Sequence, residues 1–188
     1  MDAPDVINRL QWGARPFKGQ PRPLGAVQQI VVHHAGGYGA ATRQEGARQV
    51  AALQKLHQGP QCNCPDIAYH FLVDSGGHIY QGRPFLGGDT LDDVPEFALG
   101  GHILNVDSHK LGICLLGCFD AEGGECCDTP TPEALDALER LLAFLCRHYG
   151  VHPADILTHR DFVPTTCPGE KLYRAVSQLR GRMVEHVA

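Results

Sequence analysis

Near its C-terminal end the chain carries Leu157-Thr158-His159-Arg160-Asp161-Phe162-Val163-Pro164-Thr165-Thr166-Cys167-Pro168-Gly169, which sets an imidazole and a thiol around a loop, not along one helix face. Pro164 and Pro168 bracket the thiol and restrict how far the loop can wander, which suits a side chain that must hold one direction. The pair His33-His34 stands near the other end of the chain. If these groups share a metal, the fold must bring both ends together, because a buried ion takes ligands from separate segments so that folding fixes its geometry. Two nitrogens and one sulfur would make a zinc site with one corner open. The same residues, taken alone, fit equally a buried histidine and cysteine that hold no ion.

A chain of 188 residues suits one domain with a sizeable core. Its net charge of −5 and its scattered basic residues argue against a nucleic-acid groove and leave a polymeric, weakly charged substrate open. Met1-Asp2-Ala3-Pro4-Asp5 has no basic cluster followed by an apolar run, so no secretory signal is expected, and no window is long enough for a membrane span. The expectation is a protein made in the cytoplasm that reaches its place of action by release or by another route. The eight cysteines do not form an evenly spaced disulfide framework. Cys114, Cys118 and Cys146 fall on apolar elements and read as small core residues. Cys62, Cys64 and the pair Cys126-Cys127 fall in polar loops, where a second metal or disulfides are the alternatives.

Residues 1–26 are rich in Pro, Gly and Arg and read as a segment wrapped on the surface of a domain spanning 27–188, with Trp12, the sole tryptophan, packed on the core. Val27 to His33 is a β-branched run that delivers the histidines at its end. Adjacent strand residues face opposite ways, so His33 and His34 cannot both reach one metal, and parity alone does not choose between them. Thr42-Arg43-Gln44-Glu45 is a capping box opening a helix toward Leu56. Ile67 to Val73 and His78 to Gln81 read as a hairpin closed at Ser75-Gly76-Gly77. Arg83 to Asp107 is a long Gly-rich acidic loop of the kind that lies over a binding face. Leu111 to Gly117 is apolar without alternation, as in a central strand covered on both sides. Thr131-Pro132-Glu133 caps a helix through Leu135, Leu138, Leu142, Leu145 and Tyr149 that Gly150 stops; Asp155 to Thr158 is a short strand, and Leu172, Val176, Leu179 and Met183 mark a last helix. The fold class is therefore α/β: a single domain with a central mixed β-sheet flanked by α-helices.

Four motifs now stand in order: Arg9-x-x-Trp12-Gly13-Ala14, Val31-Val32-His33-His34, Asp66-Ile67-Ala68-Tyr69-His70-Phe71, and His159-Arg160-Asp161 leading to Thr165-x-Cys167-Pro168-Gly169. Together they resemble the zinc-dependent N-acetylmuramoyl-L-alanine amidases of the type 2 family, which takes in amidase-type phage lysozymes and the peptidoglycan recognition proteins. Gly82-Arg83, Gly101-His102 with Asn105, and Leu111 to Gly117 are similar as well, so the likeness covers roughly residues 9 to 173. The resemblance implies a zinc ion held by His33, His159 and Cys167, with Tyr69 and Thr165 as the catalytic pair. His34, His102 and Asn105 are the expected substrate contacts. Where the family often has Gly-Trp before its Asp-Ile, this chain has Cys62-Asn63-Cys64-Pro65, so that wall of the groove is expected to be rebuilt. Cys167 and Cys114 replace the aspartate and glutamate typical of cytoplasmic recycling amidases, which points to attack on intact cell wall.

On this reading the chain is an endolysin-like peptidoglycan hydrolase, expected to be monomeric. It cuts the amide between N-acetylmuramic acid and the L-alanine of the stem peptide. Zinc with three protein ligands lowers the pKa of a bound water toward about 7 and polarises the carbonyl. Tyr69 and Thr165 flank the tetrahedral intermediate. There is no H-E-x-x-H to supply a base, which leaves Tyr69, or alternatively His102, for that role. The competing expectation is a peptidoglycan-binding module without turnover; such members of the family usually lack the ligating cysteine that Cys167 supplies here.

Overall fold

The computed structural model describes residues 2–37, 39–103, 106–120 and 128–185. In chain order its strands are β1 (Val6–Ile7), β2 (Gln29–His34), β3 (Phe71–Val73), β4 (Ile79–Gln81), β5 (Phe85–Leu86), β6 (Glu96–Phe97), β7 (Lys110–Leu115) and β8 (Ile156–Thr158). Six of them form one sheet in the order β1-β4-β3-β7-β2-β8, while β5 and β6 make a separate antiparallel ribbon. Every neighbouring pair in the large sheet is parallel except the β3–β4 hairpin. Parallel neighbours need long crossovers, and α1 (Arg43–His57), α2 (Pro132–Tyr149) and α3 (Glu170–Glu185) lie on those connections and at the end of the chain.

The helices start where the local chemistry says they should. The Thr42 hydroxyl accepts from the Glu45 N–H at 3.3 Å, and the Thr42 N–H donates to Glu45 Oε2 at 3.3 Å, a closed capping box for α1. Thr131 Oγ1 accepts from the Ala134 N–H at 3.2 Å, Pro132 occupies the first turn of α2, and Gly150, at φ 69°, ends it.

Period two sorts the strand side chains between two cores. Ile30 and Val32 of β2 pack with Leu138, Leu142 and Leu145 of α2 and Leu172 and Val176 of α3. Leu72 and Cys114 face the other way, with Val50 and Leu53 of α1. His33, one residue on from Val32 and paired with Cys114 in register, therefore lies on the α1 face.

Several elements differ from the sequence expectation. The strands read as Ile67–Val73 and Leu111–Gly117 are shorter, at Phe71–Val73 and Lys110–Leu115. Asp155 belongs to a 3₁₀ turn, Pro153–Asp155, ahead of β8. The segment from Arg83 to Asp107 carries β5, β6 and the turn Leu91–Asp93, elements too short to show a hydrophobic period. Within residues 2–26, Val6–Ile7 adds a parallel edge strand to β4, and Trp12 is buried with its Nε1–H donating to the Gln81 carbonyl at 2.8 Å. Arg9 reaches the fully buried carboxylate of Asp66 at 2.8 Å. Cys62 and Cys64 form a disulfide. Cys118 is buried as expected but is not a free thiol, because it is disulfide-bonded. Asn105 and the Cys126-Cys127 pair lie outside the described residues. Among the described residues no helix is long and apolar enough to cross a membrane.

Candidate metal centre

Open α/β sheets bind ligands beyond the carboxyl ends of their strands, and three segments meet there. His33 is near the end of β2, His159 directly follows β8 on the neighbouring strand, and the loop after it returns Cys167 across the sheet end. His159 opens a turn held by Asp161, whose Oδ2 accepts from the Thr158 N–H at 2.7 Å and from its hydroxyl at 2.9 Å. Arg160 ties the loop to its surroundings: it donates to Glu170 Oε2 at 2.9 Å and to the Thr166 carbonyl at 3.1 Å, and it stacks over Tyr173. Gly169, at φ +84°, runs against the Phe119 backbone where a side chain would collide, which lets the loop close on the sheet.

The donor atoms of His33, His159 and Cys167 all lie within 4.8 Å of one another. Zinc bonds of about 2.0 Å to nitrogen and 2.3 Å to sulfur, at tetrahedral angles, separate such donors by about 3.5 Å. Cys167 Sγ lies 3.7 Å from His33 Nδ1, so the pair already has nearly that spacing. The chemistry of the set also fits. Burial and the neighbouring His102, His159, His34 and His70 hold His33 well below the usual imidazole range, and burial lowers His159, so both keep a lone pair to offer at neutral pH. Burial pushes the Cys167 thiol up to about 11, opposed by the N–H of His34, which points at the sulfur from 3.4 Å. A thiolate there needs a cation beside it. His159 and Cys167 are partly exposed, so the meeting point is reachable from solvent.

A second cluster, His34, Cys118 and Asp120, has the right residue types, but its sulfur is committed to a disulfide and offers no thiolate.

Tyr69 stands beside the three donors, its ring centroid 5.2 Å from that of His33. The Arg83 N–H donates to its carbonyl at 2.9 Å, and the next residue's N–H donates to the Gly112 carbonyl at 2.9 Å, which pins the segment between β4 and β7. Burial pushes the Tyr69 hydroxyl well above the usual phenol range, and neighbouring Cys114, to which it is hydrogen-bonded, and Cys167 add to this. With no ion beside it, the hydroxyl is favoured in its protonated form. Thr165 Oγ1 accepts from the Cys167 N–H at 3.2 Å, an ordinary turn bond that leaves its own proton available.

His34 is half-buried against Phe119, whose N–H points at His34 Nδ1 from 3.4 Å. The His102 side chain is fully enclosed. Its Nδ1 lies 2.9 Å from His33 Nε2 and its Nε2 lies 3.2 Å from the Lys110 carbonyl, so it touches the candidate metal ligand His33. Burial pushes the ring down to about 4, against the opposing pull of Asp107. Sequence reasoning also missed Asp107, whose Oδ1 accepts from the N–H groups of His102 and Ile103 at 2.7 and 2.8 Å. An acid a few residues past Gly100-Gly101-His102, just ahead of a strand, was the available signal.

Comparison with known proteins gives a consistent result. Residues 23–170 match the model of the N-acetylmuramoyl-L-alanine amidase family. A human N-acetylmuramoyl-L-alanine amidase is 30% identical over 183 residues, covering 92% of this chain and 28% of the human protein. The chain spans between a quarter and a third of the first curated relatives it matches. Peptidoglycan recognition protein 1 of Bos indicus is 30% identical over 178 residues, covering 94% of this chain and 85% of that one. Among solved structures, Drosophila peptidoglycan recognition protein SD superposes with a TM-score of 0.78 at 26% identity, covering 94% and 95% of the two chains. Peptidoglycan recognition protein LE, solved in complex with tracheal cytotoxin, gives a TM-score of 0.77 at 27% identity over 92% of each chain.

Proposed function

The chain belongs to the N-acetylmuramoyl-L-alanine amidase family, and from that premise we propose that it is a zinc-dependent peptidoglycan hydrolase of the endolysin type. Its target is the amide between the lactyl group of N-acetylmuramic acid and the first L-alanine of the stem peptide, and its place of action is the cell wall. The observation that carries this reading is the convergence of His33, His159 and Cys167 from two ends of the chain beside Tyr69.

His33, His159 and Cys167 would hold the ion. Zinc, when bound, supplies a nucleophile at neutral pH and positive charge toward the carbonyl oxygen. The protein's own groups do the rest. Tyr69 turns its O–H from Cys114 toward the negative oxygen that develops on the scissile carbonyl. Thr165, fixed through the Cys167 N–H, presents a second hydroxyl from the opposite wall. The His34 N–H helps hold the sulfur in place.

A binding module without turnover is favoured by one observation, the peptidoglycan recognition proteins among the relatives. Incubating purified sacculi with the protein, with and without a chelator, separates the two. New L-alanine amino termini that vanish when metal is removed support hydrolysis; retention on sacculi with no new termini supports the module and overturns the enzyme.

A further inference from the structure

Hydrogen accounting around His102 assigns it a role that its position in a loop does not suggest. Its Nε2 is 3.2 Å from the Lys110 carbonyl, an atom that can only accept, so in the neutral ring the proton sits on Nε2. Its Nδ1 is then an acceptor, and the atom it faces at 2.9 Å, His33 Nε2, must carry the other proton. That leaves a bare lone pair on His33 Nδ1, the nitrogen turned toward Cys167.

The arrangement is built into the fold. A Cβ at Gly112 would lie 2.5 Å from His102 Cδ2, and one at Gly100 would lie 2.8 Å from the same atom, so two glycines form the slot that admits the ring. Asp107 fixes the backbone of the slot from the other side by accepting from two consecutive N–H groups.

We infer that His102 is a positioning residue for the metal centre, locking His33 in the tautomer and ring orientation that presents Nδ1 to a divalent cation. The inference rests on the reading that His33, His159 and Cys167 hold such an ion. Groups that orient a ligating imidazole in this way typically change metal affinity about 10- to 100-fold when removed.

The test is zinc affinity of the full chain, measured by competition with a chromophoric chelator at fixed pH, for wild type, His102→Ala and His102→Asn. The side-chain amide introduced by His102→Asn places an oxygen where Nδ1 stood. The expected result is a loss of about 10- to 100-fold in folded His102→Ala and recovery of most of that loss in His102→Asn. Imidazole ¹⁵N spectra of the metal-free wild type give a second readout, predicting His33 protonated on Nε2. Equal zinc affinity in wild type and a folded His102→Ala overturns the inference alone. A wild type that binds no zinc tightly overturns the metal reading and the inference with it. If His102→Ala does not fold, the spectra decide: His33 protonated on Nε2 upholds the assignment, and protonation on Nδ1 overturns it.

Discussion

Two histidines, His33 in β2 and His70 just ahead of β3, are both almost without exposure, and their surroundings differ in one respect. His70 has both ring nitrogens engaged by backbone: the Gly112 N–H donates to Nδ1 at 2.8 Å, and Nε2 lies 3.0 Å from the Ala98 carbonyl. His33 has one nitrogen engaged, by His102, while the other faces a thiol and a second imidazole. A buried polar atom left without a full partner costs stability, so a fold that turns the free nitrogen of buried His33 toward a thiol and a second imidazole has a reason beyond packing. The closed region serves packing; the open region is the proposed ligand site.

The largest expected effect falls in the open region. Cys167→Ser should reduce hydrolysis of sacculi to background and leave zinc below one equivalent by metal analysis, with the melting temperature of the metal-free protein unchanged; normal cleavage would remove the site assignment. Tyr69→Phe should keep one equivalent of zinc and lose about 10²- to 10³-fold in kcat, the usual consequence of deleting one donor to an oxyanion. Loss of zinc in that variant would make Tyr69 a ligand and not a donor.

The closed region should answer in the opposite currency. His70→Ala leaves the Gly112 N–H and the Ala98 carbonyl buried without partners and opens a cavity. Urea unfolding should show a loss of about 2–4 kcal/mol while the refolded protein still binds zinc. A His70 variant that loses metal without losing stability would erase the distinction between the two regions.

Proton release gives a finer test of the open site. His33 and His159 are neutral above their ordinary range because their pKa values are lowered, whereas the Cys167 thiol, at about 11, is protonated. Binding between about pH 6.5 and 9 must expel one proton, so zinc affinity should rise about tenfold per pH unit. A flat profile would mean that sulfur is not a ligand. The smallest effect belongs to Cys62→Ser with Cys64→Ser. That disulfide closes a loop of three residues, so its loss should cost under about 2 kcal/mol in thermal unfolding and leave zinc unchanged.

What could be read from the sequence was local chemistry. Thr42 with Glu45, and Thr131 with Pro132, announce helix starts because the bonds they make span only a few residues. The candidate trio was visible through motif order, and the resemblance chose His33 over His34, because strand alternation by itself is symmetric. The burial of His102 was not legible, since a Gly-rich loop ordinarily lies at the surface and only the slot left by Gly112 and Gly100 draws the ring inward. The Arg9–Asp66 pair and the disulfide state of Cys118 are long-range or pairwise facts that no spacing encodes.

X-ray absorption at the zinc edge of the loaded protein bears most directly on the convergence of His33, His159 and Cys167 around one ion. The expected spectrum has one sulfur near about 2.3 Å and three nitrogen or oxygen neighbours at about 2.0–2.1 Å. A first shell without sulfur, or one with more than a single sulfur, would contradict the account.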